Sequence, residues 1–236
     1  MSMACPQPQF LQLGGYTLQI YRADAALPIV YLHTGKEDSD EVAALCSGCC
    51  TLVCIDGTDW NRDFSPWPAP RAFKKGEDFS GGADAYLQIL RRELIPAAED
   101  AIGGSGCLRV LSGYSLAGLF ALYAMYRCLD FSGAASISGS LWYNGFAEYA
   151  CVNRPAPGAY YLSVGDREHL GKNPRMAAVK ACTDQIAGCL AQAGPVCREE
   201  NPGGHFHDPQ GRTARGIRAV CRMLAVSRET GPAKTV

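Results

Sequence analysis

The chain has 236 residues, a formal net charge of −1, 47% hydrophobic residues, twelve cysteines and only four histidines. A nearly neutral chain without a basic stripe excludes an electrostatic nucleic-acid surface, and this length buries one large α/β core, so residues 1–236 are expected as a single domain. No apolar run reaches membrane-span length, and the opening MSMACPQPQFLQLGGYTL lacks the basic, apolar and small-residue succession of an export signal. A soluble, intracellular (cytoplasmic) protein with its cysteines kept as thiols is therefore expected.

Along the chain, GYTLQIYR (15–22) partly alternates and reads as an outer strand, whereas LPIVYLHTG (27–35) is almost continuously apolar and reads as a buried one. EDSDEVAALCSG predicts a helix with Asp38, Ser39 or Asp40 available to cap it, and TLVCIDG the next strand, ending at Gly57. Between them CSGCCTLVC holds four cysteines. Cys46 and Cys49 have the spacing of a zinc half-site, but no second CxxC or CxxH follows to complete four ligands. Cys50 and Cys54 flank the apolar positions of the strand, where cysteine acts as a small hydrophobe, so core packing is preferred over a metal or redox site.

Residues 58–82, TDWNRDFSPWPAPRAFKKGEDFSGG, have no periodicity and read as one long loop, a length at which loops are often functional. Leu87, Leu90, Leu94 and Ala98 then mark a helix over 83–103 that Pro96 should kink and Gly103–Gly104 should end. The GGSG at 103–106 lacks the lysine and hydroxyl residue of a phosphate loop and reads as a turn. Beyond it CLRVL and GYSLAG lead into the apolar LFALYAMY. Further strands are expected at GAASISGS, AYYLSVGD and VCREE, with helices over Pro174 to about Ala193 and about Gln210 to Ser227. This alternation predicts a mostly parallel sheet with helices on both faces and reactive groups beyond the strands' carboxyl ends.

GYSLAG places Ser115 at a tight turn from strand to helix, close to the GxSxG of a nucleophile elbow, with Ala117 then Gly118 where one glycine is usual. A serine hydroxyl needs a base and a group to orient that base. In the chain order serine, acid, histidine, His205 is the base candidate, carried by NPGGHFHDP after a strand. His207, two residues on, points elsewhere, and His33 is structural. Asp166 and Glu168, in YYLSVGDRE, are both candidate acids, and spacing does not choose between them. The amides of Leu116 and Thr34, with Gly35 as neighbour, are the expected oxyanion donors.

These residues make the sequence similar to the putative-esterase group of the α/β-hydrolase superfamily, which includes enterochelin esterases, S-formylglutathione hydrolases and feruloyl esterases. The likeness spans nearly the whole chain and is carried by VYLHTG, DWNRDFSPWPAP, GYSLAGLFALY, SGSLWY, LSVGDRE and GGHFHDP. It implies an α/β-hydrolase fold with little or no lid, a Ser115 nucleophile and a His205 base. It also favours Glu168, at a position where many relatives have aspartate, over Asp166. Trp60, Asn61, Trp67 and Trp142 fall in segments that surround the pocket in similar proteins, although the tryptophans could equally pin the long loop to the body.

The reading is a serine carboxylic-ester hydrolase of small soluble substrates that uses no cofactor or metal. Thioester, amide or siderophore-lactone hydrolysis are related versions, and a catalytically silent binding protein of the same fold is the reading from a different class.

Overall fold

The computed structural model describes residues 7–34, 38–104 and 108–230, with side chains to residue 227. Gly35, the expected neighbour of an oxyanion donor, and Ser105 and Gly106 of the GGSG turn lie outside the described residues.

One eight-stranded sheet organises the chain. It comprises β1 (Gln9–Leu13), β2 (Tyr16–Tyr21), β3 (Ile29–His33), β4 (Thr51–Asp56), β7 (Arg109–Tyr114), β8 (Gly133–Ile137), β9 (Ala159–Gly165) and β10 (Val196–Asn201), in the order β1-β2-β4-β3-β7-β8-β9-β10. β1 and β2 pair antiparallel, as do β2 and β4; every later pairing is parallel. β3, β8 and β9 are buried along their whole lengths, as parallel strands covered on both faces must be. The sheet is thus the mostly parallel one expected, with one strand more: β1 is half exposed and its QFLQL carries too little contrast to announce itself.

Helices α1 (Ser39–Leu45) and α9 (Pro209–Thr230) cover one face, burying Val42, Ile217, Val220 and Leu224 against Val30, Leu32 and Ala135. The other face packs α3 (Ala83–Ile89), α4 (Ile95–Ile102), α5 (Leu116–Arg127), α6 (Phe146–Val152) and α8 (Val179–Leu190) around a larger core that includes Tyr31, Phe64, Phe120 and Tyr160. α5 runs against β7 and β8 and is buried almost all round, so its LFALYAMY has no polar stripe.

Local departures have local causes. Pro96 has no N–H to donate and its ring crowds the preceding turn, and residues Leu90–Leu94 widen into a π turn just before it. The expected helix from Pro174 splits at Ala178 into α7 (Pro174–Ala177), capped by the Asn173 side chain, and α8. Residues 58–82 are not a structureless loop: they hold α2 (Trp60–Asp63) and a small antiparallel pair, β5 (Pro68–Ala69) and β6 (Phe79–Ser80). The Asp59 carboxylate starts α2 by accepting from the amides of Asn61 and Arg62, both at 3.1 Å. At α1 the Asp38 side chain makes no such bond.

The expectation that every cysteine stays a thiol is corrected at one place. Cys151 of α6 and Cys189 of α8 form a disulfide, their Cα atoms 5.4 Å apart. Chain length and composition carry no information about two helices that pack side by side. Cys46, Cys50, Cys54 and Cys221 are buried in the core beneath α1 and α9, and burial pushes the Cys54 thiol up to about 12. Among the described residues no helix is long and apolar enough to cross a membrane.

Candidate active site

The geometry of the site begins at the end of β7, where the chain turns into α5. Ser115 occupies φ 57°, ψ −120°, a conformation that non-glycine residues rarely adopt. Its amide donates to the Ile137 carbonyl (3.0 Å) and its carbonyl accepts from the Ser140 amide (2.9 Å), which fixes the strained turn to the end of β8. Gly113 is required by close approach: a Cβ there would lie 2.4 Å from the Ala117 backbone.

Glu168 lies just beyond the end of β9. Glu168 Oε2 lies 2.8 Å from His205 Nδ1, and His205 Nε2 lies 3.1 Å from Ser115 Oγ. Ser115, His205 and Glu168 therefore stand in one hydrogen-bonded line. The other oxygen of Glu168 accepts from the Gly165 amide at 2.6 Å and lies 3.4 Å from Nη1 of Arg212, whose side chain is 1% exposed. Burial alone would raise the Glu168 pKa. The hydrogen bond and charge of His205, together with the Gly165 amide, more than offset it and hold the carboxyl below its usual range.

Of the two candidate acids, only Glu168 is hydrogen-bonded to the imidazole. Asp166 Oδ1 accepts from the Gly203 amide at 2.7 Å and its own amide donates to the Asn201 carbonyl, so Asp166 ties the loop after β10 to the end of β9. It supports the segment that carries His205 and does not touch the imidazole. Gly203, at φ 96°, lies against the His207 ring, where a Cβ would approach within 2.6 Å. The Tyr114 hydroxyl bonds the His205 carbonyl, which secures that loop from below.

The other three histidines lie away from this line of hydrogen bonds. His33 is fully buried among Phe64, Tyr86 and Phe120, with Nε2 2.7 Å from the Tyr86 hydroxyl, and burial lowers its pKa to about 3. It is a neutral part of the core. His169 lies on a short turn after Arg167 and, like His207, is not part of the pocket wall.

Ser115 and His205 open into a cavity of about 510 Å³. Leu116 and Thr34, the expected oxyanion donors, both line it, as do Trp60, Asn61 and Trp142. The wall is largely apolar, with Phe73, Phe79, Met176 and Phe206 adding to the two tryptophans. The Asn61 side chain is turned to the loop, donating to the carbonyls of Asp78 (2.9 Å) and Glu77 (3.3 Å). Trp67 does not line the cavity: it packs on Tyr143, Phe146 and Tyr149 and donates to the Asn144 carbonyl, pinning the long segment to α6.

Sequence reasoning missed Arg212. Its guanidinium joins Glu168 to Ser138 Oγ (3.1 Å) and the Pro202 carbonyl (2.6 Å). The one available signal was an arginine at the start of the buried face of α9. Ser140, whose Oγ lies 3.3 Å from that of Ser115, was missed as well.

A family model described as "Putative esterase" matches residues 15–185, well over half of the chain. The chain belongs to this esterase family. The esterase is 28% identical over 148 residues to the Bacillus subtilis (strain 168) "Uncharacterized protein YbbA"; the match covers 61% of the chain and spans 59% of that protein's length. Among solved structures it resembles an IroE-like serine hydrolase from Shewanella oneidensis (TM-score 0.75, 20% identity, 90% of this chain and 78% of that one). It also resembles the siderophore hydrolase EstB from Aspergillus nidulans (TM-score 0.70, 18% identity, 92% and 95%). A third similar structure is the enterobactin esterase FES from Shigella flexneri, solved in the presence of 2,3-di-hydroxy-N-benzoyl-serine (TM-score 0.72, 20% identity, 94% and 62%). Its mostly parallel eight-stranded sheet is the α/β-hydrolase-like fold of these structures.

Proposed function

We propose that this esterase cleaves carboxylic esters of small soluble substrates through a Ser115–His205–Glu168 mechanism. The observation that carries the proposal is the line of hydrogen bonds from Ser115 Oγ through His205 to Glu168, 3.1 and 2.8 Å long, at the mouth of an apolar cavity. Ser115 Oγ attacks the ester carbonyl while His205 Nε2 takes the hydroxyl proton. The imidazolium, held by ionised Glu168, returns that proton to the departing alcohol and leaves an acyl-enzyme. Water then attacks with His205 again as base, the acid is released, and Ser115 regains its proton. Backbone amides of Leu116 and Thr34 stabilise the developing oxyanion.

The aromatic wall of Trp60, Trp142 and Phe79 suits an aryl or otherwise apolar substituent on the substrate. The dihydroxybenzoyl ligand of the similar Shigella flexneri enzyme supports an aryl ester as the first class to test. Labelling with a fluorophosphonate followed by peptide mapping tests the nucleophile. Modification of Ser115, absent in Ser115→Ala, is expected. A folded protein that takes no label, or takes it elsewhere, defeats the mechanism and favours a silent binding protein.

A further inference from the structure

The half-site that begins at Cys46 lacks its completing ligands in sequence, but the fold supplies one. Cys221 of α9 comes down on the turn between α1 and β4, and the Sγ atoms of Cys49, Cys50 and Cys221 all lie within 4.8 Å of one another. Cys49 and Cys50 sulfurs are 3.8 Å apart. Tetrahedral zinc with Zn–S bonds of about 2.3 Å needs sulfur pairs about 3.8 Å apart, so little movement separates this cluster from a ligand set. The Cys46 sulfur stands outside that group, 3.9 Å from the Ala214 carbonyl, so the protein supplies three donors. The turn is closed by the Cys49 amide donating to the Cys46 carbonyl at 3.1 Å, which brings the two ends of the CxxC together.

We propose that Cys49, Cys50 and Cys221 form a binding site for a thiophilic divalent d¹⁰ cation, zinc in the first instance, with its fourth position left to water, that clasps α9 to the α1–β4 turn. Two of the three donors are buried and Cys49 is partly exposed, which leaves one entry side. A cleft of about 440 Å³ lined by Cys49, Cys221, Arg218 and Arg222 provides that entry, and its two guanidiniums offset the negative charge that three thiolates leave around a divalent ion. Each thiol that binds releases one proton, so uptake acidifies the medium and weakens at low pH. The cluster adjoins the amino ends of β3, β4 and β7, whereas Ser115 follows the carboxyl end of β7, about 20 Å away for a six-residue strand. Occupancy is therefore structural and independent of ester turnover.

The test is titration of the reduced full-length protein with Cd²⁺, followed by the thiolate-to-cadmium charge-transfer absorbance and by metal analysis after desalting. One equivalent per chain is expected, displaceable by Zn²⁺, with a rise in Tm and unchanged ester turnover. Cys221→Ser and the more exposed Cys49→Ser should each weaken uptake by more than roughly 100-fold, beyond the loss of an outer partner, while Cys128→Ser leaves it intact. Circular dichroism identifies any variant that fails to fold. Uptake that does not saturate at one equivalent overturns the site. Uptake unchanged in folded Cys49→Ser does so too, as does a Cys49–Cys221 disulfide mapped in freshly isolated protein that takes up no metal.

Discussion

Two regions meet at the cavity, and they are held in different ways. The end of β9 and the loop after β10 carry Glu168, Asp166 and His205, and their contacts are charged or main-chain hydrogen bonds to Gly165, Gly203, Arg212 and Tyr114. Residues 58–82 carry the aromatic wall. That segment is attached by Trp67 packing on α6 and by Asn173 and Arg175 donating to the carbonyls of residues 70–72, and is braced internally by Asn61 donating to the carbonyls of Glu77 and Asp78. Polar clamps of fixed direction suit groups that must meet within hydrogen-bonding distance, whereas contacts to loop carbonyls and ring faces tolerate change of side chain. On the proposed mechanism, the first region sets rate and the second selectivity.

The largest expected effect breaks the first region outright. Ser115→Ala should lower ester turnover by about four to six orders of magnitude with near-native thermal stability, read by single-turnover kinetics. Glu168→Gln comes next: a neutral amide no longer holds the imidazolium, and kcat should fall about 10³–10⁴-fold with KM little changed. Trp60→Ala probes the second region. It should shift the preference between aryl and short acyl esters about tenfold in kcat/KM while leaving kcat for the smallest ester near the parent value. If Trp60→Ala instead lowers kcat equally for every ester, the division between rate and selectivity fails. Asp166→Asn should give the smallest change, less than about threefold in kcat, because it loses a bond to Gly203 and none to the imidazole. An Asp166 effect as large as that of Glu168 would reverse the assignment of the acid.

His33 gives a stability test away from both regions. Its folded pKa of about 3 lies below the ordinary histidine value of 6.5, so between those limits the unfolded chain binds the additional proton. The stabilisation is complete above about pH 6.5 and is lost as pH falls towards 3, by up to about 1.4 kcal/mol per pH unit. His33→Gln should flatten that slope in denaturant titrations at several pH values; an unaltered slope would show that His33 is charged in the folded protein.

What could be read from the sequence was what is local or follows strand order. GYSLAG announces its turn because the geometry of an elbow resides in six consecutive residues, and the match of strand ends to Ser115, His205 and the GDRE turn follows from a parallel sheet. Asp166 and Glu168 could not be separated in sequence, since the choice depends on which carboxylate a loop from β10 reaches. Arg212, Cys221 and the Cys151–Cys189 pair were invisible for the same reason. Each acts on a partner at least 38 positions away, across packing that no local pattern encodes. The small strands and helix within residues 58–82 escaped because they are two to four residues long and are held by side-chain caps and tertiary contacts.

The buried guanidinium of Arg212 gives the closing helix a part in timing. As the polypeptide leaves the ribosome, the elbow serine emerges well before the arginine that clamps Glu168, and His205 follows only shortly ahead of that arginine. On the proposed mechanism, a nascent chain thus carries its hydroxyl unprimed until α9 has emerged and docked.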